Sequence, residues 1–171
     1  MRALDNIAGA LAVVSGLVLV ALIGLTFADV VLRYVFAAPI LGAKDLLEMG
    51  MVTVVALAFP FTWRIGGHIV VDLIPEYPID ALNRGREIAV RAICAAIFAL
   101  LAWQAWLRAD DAALFNEATN MIALPFQPFF RVLAGAAAFQ TLVLAAETGL
   151  AGAGRPLGFR AGWAAAETDS A

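Results

Sequence analysis

The side chains that could do chemistry are few and badly placed for it. Glu48, Arg91 and Arg131 are the ionisable residues inside long apolar runs. A charge at the centre of a bilayer costs roughly 3 kcal/mol or more, so one kept there marks an ion path or a proton relay. Each of these three instead falls near an end of its run. The chain has one histidine, His68. One imidazole cannot make a paired-histidine haem site or a multi-histidine metal site. Cys94, the single cysteine, sits among apolar neighbours and reads as a small hydrophobe, with no second cysteine for a disulfide or redox pair. Gly66-Gly67 stops a helix rather than cradling a phosphate. No nucleophile stands beside a base. The central turns are Val, Leu, Ile, Ala, Gly and Phe, with Ser15, Thr53 and Gln104 as the main polar exceptions. The residues support neither an enzyme nor a self-contained pump, and they predict no cofactor, no metal and no nucleic-acid partner.

What remains is a set of charges near the ends of the apolar runs. Arg33 follows Asp29 by four residues, so on a helix the two share a face and can pair. Arg33 can equally reach Glu48, or anchor at the headgroups beside Tyr34. Glu48 lies in the first turns of a second helix, where a carboxylate suits the positive end of the dipole; a bond to a partner chain is the competing role. His68 could be a ligand or a pH sensor, although a lone interfacial histidine is usually structural. Asp72 caps a loop or pairs with a nearby arginine such as Arg64.

The elements that position these residues follow from hydropathy. Of 171 residues, 63% are hydrophobic and 15% charged, with a net charge of −3 that singles out no acidic or basic partner. Mean hydropathy is +0.89. A bilayer core of ~30 Å needs about 20 apolar residues of helix. Four such runs occur, predicting spans at about 7–34, 46–64, 79–107 and 125–148. None alternates polar and apolar residues as barrel strands do, and in lipid the backbone must bond internally, so the runs are helices. The expected fold is all-α, an integral membrane domain over 1–150. The first run is longer than a signal h-region of ~7–15 residues, and more apolar chain follows it, which argues for its retention.

Arginine and lysine placement predicts orientation. With four spans, Arg2, Arg64, Arg84, Arg86, Arg91, Arg155 and Arg160 share one side; Arg33, Lys44, Arg108 and Arg131 share the other. That bias puts both termini in the cytoplasm, with loops 34–45 and 108–124 outside. Residues 151–171, rich in Gly and Ala, read as a disordered cytoplasmic tail. Helix one carries small residues at Ala8, Ala12, Gly16, Gly24 and Ala28. Such a stripe lets helices approach closely in lipid, although alanine is common here and chance produces stripes too.

Three motifs stand in order: Asp29-Val-Val-Leu-Arg33-Tyr34-Val-Phe36, then Lys44-Asp45-Leu-Leu-Glu48, then Arg64-Ile-Gly-Gly-His68-Ile-Val-Val-Asp72-Leu73. Together they resemble the small membrane subunit, DctQ type, of tripartite ATP-independent periplasmic (TRAP) transporters. Leu124-Pro125 and Gly135 extend the resemblance, which covers residues 5–150. Leu41 stands where the family often has Trp, and Lys44-Asp45 where it often has two adjacent acids, so the role of Asp45 stays open. The resemblance implies a large multi-span permease subunit and a periplasmic solute-binding protein as partners, in a bacterial inner membrane. It implies a sodium-driven import of an organic acid in which this chain is a non-catalytic scaffold. Two other classes stay open: a self-contained small transporter or channel, and a membrane anchor subunit of a redox complex.

Overall fold

The computed structural model describes residues 2–65 and 80–152. They form four helices: α1 (Arg2–Val35), α2 (Ala43–Arg64), α3 (Asp80–Leu114) and α4 (Gln127–Gly152). The described residues give an all-α fold, and all four helices are long and apolar enough to cross a membrane. Among the described residues the one extended feature is an isolated bridge between Ala118 and Pro125.

The helices pack in a row rather than a closed bundle. α1 packs on α2, α2 on α4, and α4 on α3. The chain is thus two helical hairpins, α1–α2 and α3–α4, joined along an α2–α4 seam. Helix α4 lies inside the row, and a third (33%) of its most apolar stretch is buried, against 11% for α1 and for α3 at the edges. Its buried face carries small residues, Ala134 and Ala137, followed by Val143 and Leu144. In lipid there is no apolar driving force between helices, so close approach and hydrogen bonds must do the joining. Both are present in the first hairpin. Gly50 lets α1 come close: a Cβ there would sit 2.5 Å from Leu22 Cδ2. The buried Ser15 hydroxyl donates to the Val54 carbonyl at 2.8 Å. Phe59 of α2 meets Phe98 of α3 edge-to-face, with ring centroids 5.4 Å apart.

Most helix ends differ from the expected spans: α1 starts at Arg2 and α2 at Ala43, ahead of 7 and 46, and the larger differences lie in α3 and α4. Helix α3 runs on to Leu114, past the expected end near 107. Arg108, Asp110 and Asp111 read as loop, but they lie on the exposed side of a helix whose Ala105, Ala109 and Ala112 are buried at helical spacing. Helix α4 begins at Gln127, after Pro125, and keeps Pro128 in its first turn, where a missing N–H costs nothing. The helix continues to Gly152. The rest of the expected tail lies outside the described residues.

The small-residue stripe of α1 is only partly covered within the chain, with Ala12 and Ala28 half-buried. Ala8 is buried, but Gly16 and Gly24 are exposed, and a Cβ on either would meet nothing within 4 Å. The glycine that makes the α1–α2 approach is Gly50, on the other helix.

Candidate functional site

Most of the charged ties lie near the two ends of the helices. At the end that carries both hairpin turns, Asp29 works on two groups at once. Arg33 Nη2 donates to Asp29 Oδ2 at 2.8 Å, the i,i+4 pair allowed by a helical face. The Ile40 N–H donates to Asp29 Oδ1 at 2.9 Å. One nearly buried carboxylate therefore holds the arginine and folds the α1–α2 turn back onto α1. Arg33 and Tyr34 remain exposed at this rim. The turn itself passes through Ala37 at φ 48° and Gly42 at φ 78°. Gly42 has a second reason to be glycine, because a Cβ there would overlap the Ile122 side chain. The two turns of the molecule thus touch.

Asp45 fixes that contact. It stands in the first turn of α2 and is buried. Its Oδ2 accepts from the N–H groups of Met121 at 2.9 Å and Ile122 at 3.2 Å. The α3–α4 turn is itself cross-tied. Thr119 N–H donates to the Leu124 carbonyl at 2.9 Å, and Leu124 N–H returns a bond to Thr119 Oγ1 at 3.0 Å. Left-handed backbone at Asn116 and Ala123 persists there because these bonds over-determine the turn. Glu48, one turn further along α2, is exposed. Among the described residues, the ion pair made by Arg33 is with Asp29, and Glu48 takes no part in it.

At the opposite end, Trp63 Nε1 donates to Glu147 Oε2 at 2.8 Å, joining α2 to α4. Arg64 closes α2. His68 and Asp72 lie outside the described residues. Arg91 is buried in the first turns of the α3 span. In the interior, Gln140 of α4 is wholly buried, and neither its amide nitrogen nor its amide oxygen has a hydrogen-bond partner.

The sequence left the role of Asp45 open and singled out neither Glu147 nor Gln140. The bond partners of Asp45 lie 76 and 77 residues away. Glu147 falls just past an apolar run and looks like a boundary charge. Gln140 carries no charge and sits inside an apolar run, where a single amide gives little local sign of its burial.

Chemically the arrangement ties backbone and helices together. Among the described residues, no group of three His, Cys, Asp or Glu could hold a metal ion. An open apolar groove of about 350 Å³ runs between α1 and α2, lined by residues such as Val18, Leu25, Met49 and Phe129.

Comparison with known proteins agrees with this picture of a small helical membrane component. No curated protein and no solved structure matches the chain. The family model described as "Tripartite ATP-independent periplasmic transporters, DctQ component" matches residues 22–150, well over half of the chain. That stretch includes the Asp29–Arg33 pair, the Asp45 staple and the Trp63–Glu147 bond. The chain belongs to the DctQ family, the small membrane component of TRAP transporters.

Proposed function

We propose that this chain is a non-catalytic brace in a bacterial inner membrane, serving a sodium-driven transporter that imports an organic acid. It holds a large multi-span permease subunit and helps a periplasmic solute-binding protein to dock. One observation carries the reading: a row of helices whose edge members, α1 and α3, are each only 11% buried along their most apolar stretch. Such edges need covering by lipid or by another membrane chain. On this reading the exposed Gly16 and Gly24 of α1 let a helix of the large subunit approach closely.

Both termini then face the cytoplasm, as the arginine bias predicts. The two tied turns face the periplasm, and the polar stretch of the α3–α4 turn offers contacts to the binding protein. Arg33 and Glu48 brace the periplasmic ends of α1 and α2 through the large subunit. His68 and Asp72 belong to the cytoplasmic α2–α3 connection beside Arg64.

The test is co-purification. The tagged chain, extracted in mild detergent from its native membrane, should bring down a multi-span membrane protein in a fixed ratio. Recovery of the chain by itself, or with a coloured redox complex showing haem or flavin absorption, would overturn the reading.

A further inference from the structure

The two hairpins meet along one seam, and polar contacts close that seam at both ends. We infer that the Asp45 staple and the Trp63–Glu147 bond act as a pair of clamps that set the angle between the hairpins. At one end Asp45 Oδ2 accepts from Met121 and Ile122, tying the start of α2 to the α3–α4 turn. At the other end Trp63 Nε1 donates to Glu147 Oε2, tying the finish of α2 to the finish of α4.

The spacing gives the pair its leverage. Asp45 and Trp63 are 18 residues apart on α2, about 27 Å at ~1.5 Å rise per residue. That nearly matches a hydrocarbon core of ~30 Å. The clamps therefore hold the seam at its two boundaries, where a small change of angle produces the largest displacement. Between them one ring pair, Phe59 of α2 edge-on to Phe98 of α3, also crosses from hairpin to hairpin, and the rest of the seam resists rocking weakly. Apolar side chains gain little by leaving lipid for one another, and Gln140, the wholly buried amide of α4, makes no hydrogen bond. Ala56 of α2 and Ala137 of α4 are fully buried, and side chains this small permit close contact without fixing an angle.

The two clamps also differ in what they grip. Asp45 grips backbone, and that backbone is cross-tied through Thr119 and Leu124. Gly42 adds steric contact with Ile122 at the same place. The Asp45 clamp thus moves a whole turn with α2, whereas the Trp63–Glu147 clamp joins two side chains. Loosening both leaves the hairpins individually intact, because Ser15–Val54 lies inside the first and the Thr119–Leu124 ties lie inside the second.

This inference deepens the brace reading, and its test uses the full chain alone in lipid nanodiscs, so the two readings fail independently. Spin labels go on α1 and α3 as Val20→Cys and Ile97→Cys, both exposed, in a Cys94→Ala background. Pulsed dipolar spectroscopy then reads the distance between the hairpins. With the native clamps, one narrow distribution is expected. Asp45→Ala combined with Trp63→Phe should add a second population, with helicity by circular dichroism unchanged. Asp45→Asn, which keeps an acceptor oxygen, should restore the narrow distribution in the Asp45 position. An unchanged narrow distribution in the double variant overturns the inference. If the double variant loses helicity, amide exchange in Asp45→Ala alone decides. Exchange at Met121 and Ile122 should rise by about tenfold or more, and unchanged exchange there overturns the inference equally.

Discussion

Gln140→Met should stabilise this protein. Gln140 is wholly buried in the helix at the centre of the row, and neither amide atom is hydrogen-bonded. Leaving a buried polar group unsatisfied costs about 1–3 kcal/mol, whereas an apolar group of the same shape in its place is neutral or stabilising. Methionine is unbranched and of similar length, so it fills the same space and leaves no void. The native state should gain about 1 kcal/mol or more, at most ~3 kcal/mol. Gln140→Ala is the control: it also removes the amide, but the cavity it opens costs about 2–5 kcal/mol, which outweighs the gain of about 1–3 kcal/mol and leaves a net loss of about 1–2 kcal/mol. Reversible unfolding of the purified chain in bicelles, followed by steric trapping, gives both differences on one scale. A loss of more than about 1 kcal/mol in Gln140→Met would refute the reasoning, because it would mean that the amide has a partner worth that much.

Gly42→Ala should destabilise by about 2 kcal/mol or more, since left-handed backbone costs alanine ~1–2 kcal/mol and its Cβ would also overlap Ile122; a change below about 0.5 kcal/mol in the same unfolding assay would contradict this. In the isolated chain, a double-mutant cycle on Asp29 and Arg33 should show coupling of only about 0.3–0.5 kcal/mol, because the Arg33 side chain is 57% exposed. A parallel cycle on Arg33 and Glu48 should be additive in the isolated chain and coupled in the assembled transporter; additivity in both would reduce each residue to an interface anchor. Reporter fusions after residues 40 and 116 should report the periplasm and those after 75 and 160 the cytoplasm, and an external signal at 75 or 160 would overturn the orientation.

The four spans were legible because the bilayer imposes a length and a polarity that few other settings require. The motifs around Asp29, Asp45 and Arg64 were legible as a family resemblance. What stayed hidden was long-range. Asp45 reads locally as a dipole acid, and nothing near it announces Met121 or Ile122. Asp110 and Asp111 make their segment polar and loop-like, but Ala105, Ala109 and Ala112 form a buried apolar face on the same stretch, and only that periodicity marks it as helix. The stripe on α1 was visible, but which helix meets it was not, and the close approach within the chain is made by Gly50 instead. The order of helices in the row, α1 on α2, α2 on α4 and α4 on α3, is not something hydropathy encodes.

The central claim is that this chain supports transport without carrying it out. Reconstitution into liposomes under an inward sodium gradient tests it most directly, with a labelled organic acid as the solute. The chain alone should be inert, and uptake should appear only when the large permease subunit and the solute-binding protein are both present. Sodium-dependent uptake by liposomes holding this chain alone would contradict the account.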